Sequence, residues 1–195
     1  HEMHLEFVSR EQYRKKSEKL FLTKLQEKYP NSFVIPEGGT NSLAIKGSEE
    51  ILSETDNKFD IICCAVGTGG TITGIINTAK EHQKVLGFPA LKGGFLSKEI
   101  NKFTIKKNWN LFHNYHFGGY AKYTLELINF VNEFSQKTEI PLDPIYTGKM
   151  IYGILDLIKN DYFAKGTAIL AIHTGGLQGI KGFNKMLEKK NQQTI

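Results

Sequence analysis

Residues 58–71 read KFDIICCAVGTGGT: an unbroken apolar run from Ile61 to Val66 is handed directly to a turn built from Gly67, Gly69 and Gly70. A run without polar alternation is the pattern of a strand covered on both faces, as in a parallel sheet. The glycines then mark a tight turn into a helix expected from about Thr71 to His82. In an open α/β sheet this junction, at the carboxyl end of a strand, is where ligands are held.

Working outward, the same alternation recurs. Toward the amino terminus, Ser9 followed by Gln12 reads as a capping box, and Tyr13, Leu20, Phe21 and Leu25 give helical spacing for one helix over Arg10 to Lys28. SFVIP, residues 32–36, reads as a short strand, and Asn41 or Ser42 as the cap of a helix running toward Glu54. Beyond the central junction come KVLGFPA as strand, a helix around Phe95 to Lys102, and WNLFHNY as strand. A helix near Lys122 to Gln136, the turn IPLDPIYTGK, a helix from Gly148 to Asn160, the strand TAILAIHT and a closing helix after Gly179 complete the order. Strands alternating with helices, without repeats, predict an α/β fold: an open, mostly parallel sheet with helices on both faces.

The chain has 195 residues and 40% hydrophobic content, enough for a sizeable core. It contains no run of eighteen apolar residues, and its first ten lack the apolar stretch of an export signal, so the default expectation is a cytoplasmic protein without a membrane partner. Its formal charge is +5, but stretches such as RKK at Arg14 to Lys16 lie among glutamates on helical patterns. They read as solvated faces, and no nucleic-acid partner is expected. Cys63 and Cys64 are the only cysteines, which excludes a disulfide framework and a closed zinc site. His113 and His116, placed on a strand, would point to opposite faces, so no metal is expected.

The glycine turn is suited to an anion. Its backbone amides, the hydroxyls of Thr68 and Thr71, and the positive end of the following helix can converge on one ligand. A Walker A loop is excluded because Gly74 is followed by Ile75 rather than lysine, and a dinucleotide fingerprint is excluded because Ile72 stands where its last glycine belongs. What remains is a cradle for a single phosphate monoester, or a tight turn without a ligand. A non-catalytic domain that binds a phosphorylated ligand stays open on these grounds. A second glycine turn, HTGGLQG from His173 to Gly179, ends another strand in the same way and can face the same crevice, with His173 in a structural role.

Taken together and in this order, IPEGGTN, GTGGT, GGYAKY, LDPIYTGKM and HTGG resemble the carboxyl two-thirds of the 1-aminocyclopropane-1-carboxylate deaminase / D-cysteine desulfhydrase family, over about Leu5 to Met186. The resemblance implies the tryptophan synthase β-like fold, pyridoxal 5′-phosphate as cofactor, a small amino acid as substrate and a homodimer. It implies that Gly67, Thr68, Gly69, Gly70 and Thr71 bind the cofactor phosphate, that Thr174 and Thr147 lie near the pyridine nitrogen, and that Tyr120 and Tyr146 line the substrate pocket as catalytic residues. Residues 1–36 would be the tail of a small cofactor-covering domain and 37–195 most of the large domain. In the cyclopropane-opening branch a glutamate follows the tyrosine matched by Tyr146; here Thr147 stands there, as in the desulfhydrase branch. A neutral hydroxyl beside the ring nitrogen favours the unprotonated ring, a weaker electron sink suited to β-elimination. The expected reaction is therefore loss of a β-thiol to give pyruvate, ammonia and sulfide, with ring opening of the cyclopropane acid as the alternative. The family's cofactor-bearing lysine and its serine-asparagine-histidine stretch have no match here, and Lys46 and Lys149 do not stand in the lysine's context. The expectation is an incomplete chain that by itself binds the cofactor weakly and does not catalyse.

Overall fold

The computed structural model describes residues 3–195, so His1 and Glu2 of the expected small-domain tail lie outside the described residues. The chain divides between Gly39 and Thr40 into two compact units.

In the first unit the single helix expected over residues 10–28 is two: α1 (Arg10–Arg14) and α2 (Lys19–Lys28). The capping box is present, the Gln12 amide donating to Ser9 Oγ at 3.1 Å and the Ser9 amide to Gln12 Oε1 at 2.9 Å. The break follows from RKKSEK, residues 14–19, which give a continuing helix no apolar face to bury. Residues 32–36 form no strand, because no neighbouring strand is present among the described residues to complete a ladder.

The second unit is built on four strands, β1 (Ile61–Val66), β2 (Lys84–Pro89), β3 (Trp109–Leu111) and β4 (Ile169–Ile172). They pair in the order β3-β2-β1-β4 and every pairing is parallel. The α/β fold class read from the alternation is the one observed. Helix α3 (Ser42–Ser48) is capped by Asn41, whose Oδ1 accepts from the Ala44 amide at 2.9 Å. It stops well short of Glu54. Helices α4 (Gly70–Thr78) and α5 (Leu96–Ile100) cover one sheet face, and α7 (Thr147–Lys159) covers the other. Between α5 and α7 in the chain runs α6 (Leu125–Thr138), and α8 (Ile180–Glu188) closes the sequence.

The two-sided burial inferred for β1 holds residue by residue. Ile62, Cys64 and Val66 pack with Ile72, Ile75 and Ile76 of α4, whereas Cys63 and Ala65 pack with Met150, Ile154 and Leu157 of α7. Each fully buried isoleucine contributes about 1.5–3 kcal/mol relative to exposure, so β1 is the seam that joins the two layers. Edge strand β3 is shorter than WNLFHNY suggested: it pairs only with Val85–Gly87, and His113–Tyr115 turn away as a 3₁₀ segment. His113 and His116 therefore do not lie on a strand. Among the described residues no helix is long and apolar enough to cross a membrane, and no group of three or more His, Cys, Asp or Glu is placed to hold a metal.

Burial pushes the thiols of Cys63 and Cys64 up to about 12. At pH 8 roughly one in ten thousand is then thiolate, the form that reacts. Alkylation by iodoacetamide, followed by peptide mass spectrometry, should leave both cysteines unmodified in the native protein and modify both after unfolding.

Candidate functional site

The sheet order reverses direction at β1: the chain proceeds from β1 to β2 on one side, then returns to place β4 on the other. The crevice beyond the carboxyl ends of β1 and β4 is the switch point at which open α/β sheets bind ligands. Both glycine turns lie there, GTGGT directly after β1 and HTGG directly after β4.

In the first turn, Gly69 takes φ +98°, a left-handed conformation that glycine adopts without strain, and serves as the N-cap of α4. No side chain caps this helix, so its first-turn amides point outward with their partial positive charge. Thr68 Oγ lies 2.7 Å from Thr40 Oγ. Thr40, from the segment before α3, also closes over Gly70, where a Cβ would meet its hydroxyl at 2.9 Å. Gly67 lies beneath a ring: a Cβ there would stand 3.4 Å from Cε1 of Tyr146 and 3.6 Å from its hydroxyl. Thr71 follows on the first turn of α4 and is half-buried.

Tyr146 is held by the start of α7. The Asp143 carboxylate, 2% exposed, accepts from the amides of Ile145 and Tyr146 at Oδ1 and from the amide and hydroxyl of Thr147 at Oδ2, at 2.7–2.8 Å. Thr147 Oγ in turn accepts from the Asp143 amide at 3.0 Å. This reciprocal cap satisfies a buried carboxylate and several orphan donors of the helix at once. The hydroxyl of Thr147, fully buried, is thus committed to Asp143. Gly176 of the second glycine turn lies against the same carboxylate, its Cβ position 3.1 Å from Oδ2. Thr174 stands exposed on that turn. His173 bridges it to the preceding chain, Nε2 donating to the Pro141 carbonyl at 2.9 Å while Nδ1 accepts from the Gly175 amide at 3.2 Å.

Tyr120 meets Tyr146 edge to face, with ring centroids 6.1 Å apart. Burial, followed by the neighbouring Tyr120, pushes the Tyr146 hydroxyl up to about 12, so it stays protonated at neutral pH. The backbone around Tyr120 is strained. Phe117, Gly118, Gly119 and Ala121 all have positive φ, and for Phe117 and Ala121 this costs about 1–3 kcal/mol each. Lys149, one turn along α7 from Tyr146, is buried and donates to the carbonyls of His116 and Gly119, both at 2.8 Å. Burial lowers its ammonium to about 8, and the nearby Asp143 works in the opposite direction. On the other side of the loop Lys92 lies against Gly119, its Cβ 3.4 Å from the position of a glycine Cβ.

The site residues read from the sequence therefore gather at one crevice, with Gly67–Thr71, Tyr146, Thr147 and the turn that carries Thr174 linked through Thr40 and Asp143, and Tyr120 through its ring contact. Sequence reasoning missed Asp143 and Thr40, and weighed Lys149 only as a cofactor-bearing lysine. An aspartate four residues ahead of a threonine at a helix start was a visible capping signal; the other two act across 28 or more residues of sequence.

The family model for the pyridoxal-phosphate dependent enzymes matches residues 3–175. The chain belongs to this family. It is 33% identical over 176 residues to a putative 1-aminocyclopropane-1-carboxylate deaminase of Pyrococcus furiosus, covering 80% of this chain and 53% of that protein. It is 34% identical over 198 residues to the mitochondrial bifunctional D-cysteine desulfhydrase/1-aminocyclopropane-1-carboxylate deaminase of Arabidopsis thaliana, covering 89% and 49%. The crystal structure of an ACC deaminase homologue superposes with a TM-score of 0.73 at 26% identity, over 95% of this chain and 61% of that one. The chain thus spans about half the length of the curated relatives it matches.

The cofactor of the pyridoxal-phosphate dependent enzymes carries a single phosphate monoester, and the residues present fit it. An uncapped helix amino terminus, a left-handed glycine that turns the chain toward it and an aromatic ring over Gly67 make a cradle for one anion with a flat body beside it. Thr147→Val, of equal shape, should lower stability by about 1–3 kcal/mol because Asp143 loses a donor and its own amide an acceptor. Urea denaturation read by circular dichroism measures this loss.

Proposed function

We propose that the whole protein is a pyridoxal-phosphate dependent lyase that removes a β-thiol from a small amino acid, D-cysteine in the first instance, to give pyruvate, ammonia and sulfide. The single observation that carries the reading is the convergence of GTGGT, Tyr146 and HTGG on the β1/β4 switch point. Thr147, where the ring-opening branch has a carboxylate, supports elimination over ring opening. Relatives named as D-cysteine desulfhydrase, including that of Klebsiella pneumoniae at 25% identity, agree with this choice. Ring opening of 1-aminocyclopropane-1-carboxylate is the second reading, favoured by the names of the archaeal relatives.

In this proposal Gly67 to Thr71 hold the phosphate through the amides of the α4 amino terminus, and Thr174, exposed on the second glycine turn, supplies a neutral hydroxyl for the ring nitrogen, while the buried Thr147 hydroxyl stays with Asp143. Tyr120 and Tyr146 line the amino-acid pocket, where the protonated Tyr146 hydroxyl is a hydrogen-bond donor. Pyridoxal phosphate, when bound, supplies the electron sink for bonds at the α-carbon. Residues 1–36 belong to the small cofactor-covering domain and 37–195 to the large one, and the full protein acts as a homodimer, as the resemblance implies.

The full-length protein, supplied with pyridoxal phosphate, should release sulfide and pyruvate from D-cysteine. Rapid formation of 2-oxobutanoate from the cyclopropane acid, without sulfide from D-cysteine, would overturn the choice between the two reactions.

We further propose that no lysine of this chain joins the cofactor covalently. Lys149, the one buried lysine among the described residues, has two of its three donors engaged by backbone carbonyls. Borohydride reduction with the cofactor, followed by peptide mapping, should yield no pyridoxyl-lysine between residues 1 and 195. An adduct on any of these lysines refutes the assignment.

A further inference from the structure

We propose that Lys149 is a positioning residue for Tyr120: its ammonium holds the carbonyl oxygens of His116 and Gly119, the opening residues of two successive turns, and thereby presents the Tyr120 ring to Tyr146. The inference rests on the reading that these two tyrosines line the amino-acid pocket, and it adds a residue that acts on that pocket without touching it.

The turns are defined by the Gly119 amide donating to the His116 carbonyl at 3.0 Å and the Lys122 amide donating to the Gly119 carbonyl at 3.1 Å. Each carbonyl thus receives one bond from its own turn and a second from Lys149. Tyr120 lies inside the second turn, and of the five residues from Phe117 to Ala121 it alone has a negative φ. A segment so strained holds one conformation only when its surroundings over-determine it. The Tyr120 side chain holds this conformation only weakly by itself, since the residue is 55% exposed and its ring and hydroxyl both meet a single partner, Tyr146.

Lys149, by contrast, is 1% exposed and makes no ion pair among the described residues; both of its hydrogen bonds go to this one loop. A buried ammonium satisfied only by loop carbonyls is a tether between helix and loop. The N-cap of its helix is Tyr146, which Asp143 fixes through the backbone. The first turn of α7 therefore sets both tyrosines, one directly and one through the Lys149 side chain.

The test uses the full-length protein with 3-fluorotyrosine at position 120, read by ¹⁹F NMR with and without pyridoxal phosphate. Lys149→Met should move the resonance toward that of the free amino acid and broaden it. A Lys149→Met protein that folds with an unchanged resonance overturns the proposal. Should Lys149→Met fail to fold, Lys149→Leu, which likewise removes every donor, gives the same readout, and an unchanged resonance there overturns the proposal equally.

In the holoenzyme, Lys149→Met and Tyr120→Phe should each lower kcat/KM for D-cysteine about tenfold, and the double variant should fall no more than about twofold below the weaker single one. Additive losses would assign Lys149 a structural role unconnected to Tyr120. If the wild-type protein turns over no amino acid while the ¹⁹F resonance still moves in Lys149→Met, the functional reading fails and the tether stands.

Discussion

The buried carboxylate of Asp143 is the contact on which the crevice depends. It stands where the chain enters α7, and its two oxygens take the amides of Ile145, Tyr146 and Thr147 together with the Thr147 hydroxyl. A carboxylate out of water is tolerable only when its lone pairs are filled, and a helix start has surplus amides that need acceptors. Each solves the other's problem. Because the donors are successive backbone groups, the arrangement fixes the path of the main chain, and the Tyr146 ring is aimed over Gly67 as a result.

The same carboxylate reaches the second glycine turn, where Gly176 is small enough to lie against it. Two turns from strands adjacent in the sheet are in this way brought to a common wall. The first offers uncapped amides at the head of α4, which suits a monoester anion; the second, with His173 pinned to Pro141, offers a rigid edge. Parallel β1 and β4 place both turns at the same end of the sheet, as parallel strands must. The ligand crevice is a consequence of topology, and its chemistry follows from the amino terminus of α4, which no side chain caps.

Tyr146 also meets, through Tyr120, the loop from His116 to Lys122, which is held in an unfavourable backbone conformation by hydrogen bonds from α7. The contrast between a wall built from relaxed glycine turns and a strained loop carrying an exposed tyrosine is a physical asymmetry in the site. Strain of this kind survives where surrounding contacts specify it, and here the contacts come from the helix that also carries Tyr146.

Much of this was legible in the amino-acid order. The unbroken apolar run of β1 and the glycines after it fixed a two-sided strand and a strand-to-helix turn, because burial and left-handed φ each demand particular residue types locally. The alternation of such units set the parallel class, and the ordered motifs pointed to the family. Other features depended on partners distant in the chain. Whether residues 10–28 form one helix or two, whether residues 32–36 join a ladder, and where β3 ends all turn on packing or pairing that local propensity does not contain. Thr40 meeting Thr68 and Lys149 reaching the loop before Tyr120 were equally invisible, since a side chain's partner across about 30 residues is set by the fold. Sequence alone determined which backbone shapes and buried faces were possible; tertiary structure decided which donors met which acceptors, because that choice depends on distances that exist only after the layers have packed.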